Sequence, residues 1–180
     1  MVKNTARVWV LGALGVVAIV AAQGGRETAK EAGKPVKKDK AGRVSDVGAL
    51  VPAFADRVVL LVARMRARGH DAVVWETYRT PERAAKFAEA GVGSADSMHC
   101  YGLAADIISE ASAWNAPADF WAALGEEARK LGLVWGGDWH GQQRPHGDKP
   151  HVQAIRVSEQ RAFRAMDAEM RQQALETRFA

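Results

Sequence analysis

The chain has 180 residues, of which 48% are hydrophobic, and its formal net charge at pH 7 is +4. This length accommodates one domain with an appendage, and the hydrophobic fraction is sufficient for a buried core. Nine of the 25 basic and three of the 21 acidic residues lie in residues 1–44, which leaves a charge of +6 there and −2 in the remainder. Binding of nucleic acid by the folded part is therefore disfavoured. The single cysteine, Cys100, excludes a disulfide bond within the chain.

An apolar run occupies residues 8–22, with Lys3 and Arg7 before it. It is shorter than the roughly 20 residues that a membrane-spanning helix needs, and it is similar to the hydrophobic core of a secretory signal. We therefore expect residues 1–22 to be a signal peptide or a signal-anchor. Residues 23–44 form a basic polar linker, and the basic residues after the apolar run argue against export under the positive-inside rule.

Residues 45–180 are expected to form one domain. Apolar residues at helical spacing predict an amphipathic helix over 47–68 that ends at Gly69. A strand is predicted over 71–77, and Thr80 followed by Pro81 predicts the start of a helix that ends near Gly91. The remaining predicted elements are strands near 103–108, 133–136 and 151–156, a helix from Pro117 to Gly132, and a terminal helix from Ser158 marked by Phe163, Met166 and Met170.

The stretch at 97–106 combines a histidine and an aspartate with a glycine between them. Gly102 turns the chain from a loop that carries His99 into the strand at 103–108, where Asp106 lies among apolar residues. A carboxylate in such a strand is costly to bury unless it is paired or bound to a cation. His99 and Asp106 are therefore candidate metal ligands. The alternative stays open that the histidine is structural and that the aspartate caps a turn.

A second polar stretch, at 148–153, contains the other half of the candidate site. Pro150 marks the start of a strand, because proline cannot donate to a sheet, and His151 and Gln153 then point to the same face. Asp148, in the entering loop, is a candidate general base.

Together the two stretches supply His99, Asp106 and His151. Two histidines and one aspartate make a ligand set for zinc that leaves a fourth position for water, as in hydrolytic rather than structural zinc sites. Two other sets of ligands stay open. Cys100 is a conceivable soft ligand, and His140, His146 and His151 form a rival triad that leaves Asp106 unexplained.

These motifs resemble a known zinc peptidase superfamily. Ser-x-His-x-x-Gly-x-Ala-x-Asp at 97–106 is similar to the signature of D-alanyl-D-alanine carboxypeptidases and dipeptidases, of L-alanyl-D-glutamate endopeptidases of phage endolysins, and of the Hedgehog signalling domain. Three further motifs resemble the endolysin branch in particular. They are Tyr-Arg-Thr at 78–80, Trp-Gly-Gly-Asp-Trp at 135–139 and Asp-x-Pro-His-x-Gln at 148–153. The four motifs occur in the order in which the family has them.

The resemblance implies an α+β fold, with a small antiparallel sheet, helices packed on one face and a zinc site on the open face. It implies a zinc-dependent peptidase that cleaves the stem peptide of peptidoglycan at the L-alanyl-D-glutamate bond. His99, Asp106 and His151 would hold zinc and Asp148 would act as the base. Arg79 would stabilise the oxyanion. Substrate contacts are expected from Ser97, Tyr78, Trp139 and Gln153, and Asp138 is expected to orient a ligating histidine through a hydrogen bond.

The chain is expected to be a monomer. The apolar run at 8–22 predicts that it is exported or attached to the membrane, so that it faces the cell wall. One rival function is a D-alanyl-D-alanine carboxypeptidase or dipeptidase with the same metal site; the dipeptidases of vancomycin resistance have a glutamate where this chain has Asp148, which argues mildly for the endopeptidase. Another rival is a non-catalytic wall-binding module of the same fold.

Overall fold

The computed structural model describes residues 39, 42–140 and 147–180. The expected signal or anchor at 1–22 lies outside these residues, as do most of the linker at 23–44 and His146. Within the described ranges, no helix combines the length and the apolar character that crossing a bilayer would require.

In the described residues, four strands form one antiparallel sheet, in the order β1-β2-β4-β3. The strands are β1 (Ala72–Glu76), β2 (Ala104–Ser109), β3 (Val134–Trp135) and β4 (His151–Gln153). The predicted α+β class and small antiparallel sheet are confirmed. β3 and β4 are shorter than expected, since the chain leaves the sheet after Trp135 and after Gln153.

Five α-helices accompany the sheet in the described part of the chain: α1 (Pro52–Ala67), α2 (Pro81–Glu89), α3 (Ala118–Lys130), α4 (Gln160–Ala165) and α5 (Ala168–Phe179). Short 3₁₀ helices cover Val47–Ala49, Met98–Tyr101, Gly136–Asp138 and Val157–Glu159. The single helix predicted over 47–68 is therefore divided. Val51 is extended, with φ −58° and ψ 127°, because a residue before proline avoids the helical region.

The predicted terminal helix is also divided. Met166 is extended, and Asp167 begins α5 by accepting a hydrogen bond from the Met170 backbone N–H. This restart rotates the buried side of the helix. Phe163 is buried as expected, but Met170 is 47% exposed and Leu175 takes the buried position instead.

The core lies between α1, α3 and α5 and one face of the sheet. In α1 the buried residues Phe54, Val58, Leu61 and Met65 recur at helical spacing, and each contributes roughly 1.5–3 kcal/mol by leaving water. Ala105 and Val152 pair directly across β2 and β4 and belong to this core. Because strand side chains alternate, the residues flanking Ala105 and Val152 point to the opposite face.

Residues just before Ser45, the expected start of the domain, also contact the fold. Val44 is buried, and its carbonyl accepts hydrogen bonds from the backbone N–H and the hydroxyl of Thr77. The Arg43 guanidinium lies 3.4 Å from the centre of the Trp75 ring. This segment thus packs against β1, beside the strand end that leads to Arg79.

Candidate metal centre

His99 is held by a tight local turn. The expected loop is a 3₁₀ helix, Met98–Tyr101, and the Ser97 hydroxyl accepts a hydrogen bond from the His99 backbone N–H at 3.4 Å. Gly102 ends the helix in the left-handed region, at φ 66°, and a Cβ there would lie 3.0 Å from the Ala49 carbonyl oxygen. The turn at 102 therefore favours glycine. It leads the chain from the 3₁₀ helix that carries the buried His99 into β2.

The ring of His99 is oriented from behind. Its Nδ1 lies 2.8 Å from the carbonyl oxygen of Thr77, so the Nδ1–H donates to that carbonyl and Nε2 presents its lone pair. His99 is 1% exposed, and its Nε2 has no hydrogen-bond partner within the described residues. A buried nitrogen without a hydrogen-bond partner is costly, and a metal ion would satisfy it.

Asp106 and His151 come from neighbouring strands. They are directly paired across β2 and β4, and Ala104 pairs with Gln153 on the same face. Asp106 Oδ1 lies 3.3 Å from His151 Nδ1 and 3.4 Å from His99 Nε2. One ligand atom from each of the three residues lies within 4.8 Å of the others.

This donor set fits a divalent metal such as zinc, which is bound by imidazole nitrogens and carboxylate oxygens. All three side chains are buried, so an ion there would be held by protein on several sides. In the described part of the chain, Cys100 does not belong to this group and His140 is exposed. His146 lies outside the described residues, so the structure does not test the rival triad of His140, His146 and His151.

The candidate ligands shift each other's pKa values. Burial alone would raise the pKa of Asp106, but the neighbouring imidazoles of His99 and His151 outweigh it and hold the pKa well below its usual range. Burial lowers the pKa of His151, yet the hydrogen bond to Asp106 and the charges of Asp106 and Asp148 raise it overall. Asp106 is therefore ionised at neutral pH, which is the state a metal ligand needs.

Gln153 lies behind His151. Its Oε1 is 3.2 Å from His151 Nε2, and it also accepts from the Gln160 amide at 3.3 Å. Its own amide donates to the Ile155 carbonyl. Although Gln153 reaches the cleft wall as expected for a substrate contact, these bonds make it a residue that orients His151 Nδ1 toward Asp106.

Asp138 does not take the orienting role expected for it. Its carboxylate is half-exposed and accepts hydrogen bonds from Arg129 of α3, at 3.0 Å from Nε and 2.5 Å from Nη2. The 3₁₀ helix Gly136–Asp138 turns this side chain toward α3 and away from the ligands. In the described residues, Thr77 and Gln153 supply the hydrogen bonds to the two histidines instead.

The three candidate ligands lie in a cleft of about 440 Å³. Of the other residues predicted for the site, those that line it are Arg79, Ser97, Trp139, Asp148 and Gln153. The ring centre of Trp139 lies 5.0 Å from that of His151. Tyr78, expected to contact substrate, is half-buried and is not among the described lining residues.

Asp148 is placed by a close backbone contact. Its N–H donates to the Gly136 carbonyl at 2.7 Å, and its carbonyl accepts from the His151 N–H at 3.1 Å. A Cβ on Gly136 would lie 2.5 Å from the Asp148 carbonyl oxygen and 3.0 Å from His151 Cβ. The first glycine of the Trp-Gly-Gly-Asp-Trp motif is therefore needed to bring Asp148 and His151 against the end of β3.

Sequence reasoning missed several residues of the cleft. The most important is Glu76, which is 2% exposed and bonds both Arg79 and Arg83. An irregularity between Val74 and Glu76 brings Glu76 opposite Asp106. The available signal was an acidic residue at the end of an apolar strand. Other lining residues that were not singled out include Trp75, Phe87 and Trp114.

Comparisons with known proteins agree with the motifs. A family model described as D-alanyl-D-alanine carboxypeptidase matches residues 90–154, a segment that includes all three candidate ligands and Asp148. The resemblance to the zinc peptidase superfamily is thereby confirmed over this segment, and the match indicates a peptidase. No match was found among curated proteins.

The solved structures that are similar to the chain include ChiX, VanY and VanYB. The Serratia marcescens L-Ala D-Glu endopeptidase ChiX shares 27% identity over 53% of this chain and 77% of its own, with a TM-score of 0.40. A vancomycin-resistance D,D-pentapeptidase VanY from a VanB-type cassette, a mutant in complex with Zn(II), shares 16% identity over 76% and 88% of the two chains, with a TM-score of 0.45. VanYB in complex with D-alanine-D-alanine shares 15% identity over 76% and 86%, with a TM-score of 0.45.

Proposed function

We propose that this chain is a zinc-dependent peptidase that hydrolyses the stem peptide of peptidoglycan, with the L-alanyl-D-glutamate bond as its target. The observation that carries the proposal is the convergence of His99 Nε2, Asp106 Oδ1 and His151 Nδ1 in a cleft. The family match over the same residues supports a peptidase rather than a structural metal site.

His99, Asp106 and His151 would hold the metal. A bound zinc supplies Lewis acidity, which polarises a carbonyl group and acidifies a water molecule. Asp148 lines the same cleft. As general base it takes a proton from the attacking water, and as general acid it returns that proton to the leaving amine when the amide C–N bond breaks.

Arg79 provides positive charge in the cleft. Its Nη2 lies 3.7 Å from Asp106 Oδ2, and the side chain is almost fully buried. A guanidinium held in this position can donate to the carbonyl oxygen on which negative charge develops during attack on the amide. Burial lowers the pKa of Arg79, partly offset by the charge of Asp106, and arginine stays protonated because its pKa is so high.

The choice of bond rests on the motifs. The residues at 78–80, 135–139 and 148–153 resemble the endolysin branch, and Asp148 stands where the dipeptidases of vancomycin resistance have a glutamate. The alternative, a D-alanyl-D-alanine carboxypeptidase, is favoured by the description of the matching family model.

Products distinguish these two activities. The full chain is incubated with purified muropeptides that carry complete stem peptides, with and without a zinc chelator, and the products are identified by mass spectrometry. Peptides that begin with D-glutamate support the proposal. Release of free D-alanine supports the alternative, and no chelator-sensitive cleavage by the zinc-loaded chain would support a non-catalytic wall-binding module.

We also propose that residues 1–22 direct the chain to the membrane or across it, so that a monomeric peptidase domain faces the cell wall. The apolar run at 8–22 supports this, and the basic residues after it oppose it. Fractionation of cells that express the full chain tests the proposal. A full-length product confined to the cytosolic fraction contradicts it.

A further inference from the structure

Glu76 is a buried carboxylate that the proposed reaction does not use. It lies in the wall of the cleft and both of its oxygens are engaged. Oε2 is 2.5 Å from Arg79 Nη2, and Oε1 is bonded to Arg83 Nη1. An ionised carboxylate at this depth is unfavourable unless it is paired and hydrogen-bonded, so the two arginines account for its stability there.

Arg79 lies between two carboxylates. The same nitrogen, Nη2, is 2.5 Å from Glu76 and 3.7 Å from Asp106 Oδ2. The first distance is that of a charge-assisted hydrogen bond and the second is too long for one. Nη2 is therefore hydrogen-bonded to Glu76 and not to Asp106, whose other oxygen, Oδ1, faces the two histidines.

The other contacts of Arg79 do not fix the orientation of its guanidinium. The Arg79 backbone N–H donates to the His99 carbonyl at 3.3 Å, which fixes the main chain. The guanidiniums of Arg79 and Arg83 lie 4.6 and 4.9 Å from the centre of the Phe87 ring. An aromatic face attracts a cation without specifying a hydrogen-bond direction, and Arg79 Nε has no hydrogen-bond partner within the described residues.

We propose that Glu76 is a positioning residue for Arg79. By binding Nη2 it keeps Arg79 off Asp106, so that the Asp106 carboxylate stays available to the metal and the guanidinium stays directed into the cleft. Without Glu76, the nearest carboxylate left to Arg79 among the described residues is Asp106, and the arginine competes with the metal for it. The effect on catalysis rests on the proposed function, whereas the effect on metal affinity does not.

The test is a double-mutant cycle on the full chain with Glu76→Gln, Arg79→Gln and the double variant. The zinc dissociation constant is measured by competition with a chromogenic chelator, and kcat and KM are measured on a muropeptide. Glu76→Gln is expected to weaken zinc binding by about 10–100-fold, the range for residues that support metal ligands, and to lower kcat more than KM. In the Arg79→Gln background the same substitution should change zinc affinity less than threefold.

Two matched controls separate positioning from loss of the fold. Glu127→Gln removes another buried carboxylate, which is paired with Arg68 and Lys130 away from the cleft. It should lower the melting temperature without changing zinc affinity. Arg83→Gln leaves the contact between Glu76 and Arg79 in place and should also keep the wild-type zinc affinity.

The measurements test the positioning role of Glu76 and the proposed function separately. Wild-type zinc affinity in Glu76→Gln, or equal losses with and without Arg79, overturns the positioning role. If the wild-type chain binds zinc but cleaves no peptide, the proposed function fails and the zinc cycle still decides the role of Glu76. Failure of the wild-type chain to bind zinc overturns both.

Discussion

Asp106 and His151 lie directly opposite each other on β2 and β4, with Asp106 Oδ1 3.3 Å from His151 Nδ1. Two candidate ligands that are distant in sequence are thus placed by the register of two adjacent strands. Ladder bonds on both sides fix that register, including one from the Ile107 N–H to the Pro150 carbonyl at 2.9 Å. Ligands on paired strands are held more rigidly than ligands on loops, and only His99 depends on a turn.

Replacement of His99 by alanine should abolish stoichiometric zinc binding and activity. The substitution removes one of three ligands and leaves Asp106 and His151 as a two-ligand site. Elemental analysis of the purified variant measures the zinc content. His140→Ala is the matched control, because His140 is exposed and should be dispensable. Full zinc occupancy in His99→Ala would rule out the ligand assignment.

Asp148→Asn should retain zinc and lose most turnover. The amide is nearly isosteric with the carboxylate and removes no member of the ligand group, whereas general-base catalysis typically contributes about 10²–10⁴-fold. Zinc content, melting temperature and cleavage rate are measured on one sample. Loss of zinc together with activity would make Asp148 a ligand. Near-normal turnover with zinc bound would contradict the mechanism.

Gly136→Ala should disturb the site through the backbone. The added Cβ would lie 2.5 Å from the Asp148 carbonyl oxygen, so the turn that carries Asp148 and His151 must shift, at a cost of about 1–3 kcal/mol. Both the free energy of unfolding and the zinc affinity should fall. Gly69→Ala is the control, since it strains a left-handed residue in open space and should leave zinc affinity unchanged.

Stability at acid pH should depend on the carboxylate of Glu126. Hydrogen bonds from Lys130 and Arg68 lower its pKa to about 2, from an ordinary value of 4.5. Because the folded pKa is the lower one, ionised Glu126 stabilises the fold above about pH 4.5, and this contribution is lost as the pH falls toward 2. The group is exposed, so the effect should shrink at high salt.

Melting temperatures of wild type and Glu126→Gln, measured from pH 7 to pH 2 at low ionic strength, check this expectation. The wild type should melt higher above pH 4.5, and the two curves should converge at the acid end. A difference that is constant over the whole range would show that the ion pairs do not cause it.

Several features of the fold could be predicted because they depend on neighbouring residues. Helical spacing of apolar residues located α1 and α3, and Thr80 with Pro81 marked the start of α2. The alternation of strand side chains placed His151 and Gln153 on one face. The helix breaks at Val51 and Met166 were missed, since apolar periodicity continues across both, although Pro52 was a local signal for the first.

The motifs, their order and the residue types that suit a zinc peptidase can be read directly from the sequence. Which polar groups contact each other depends on the tertiary fold: Asp106 with His151, Asp138 with Arg129, Gln153 with His151, and Glu76 with Arg79 and Arg83. Side-chain alternation follows from the backbone geometry of each strand. Strand register and ion pairing follow from the packing of distant segments and from the requirement that buried charges find partners. No local pattern in the sequence encodes that register or those pairs.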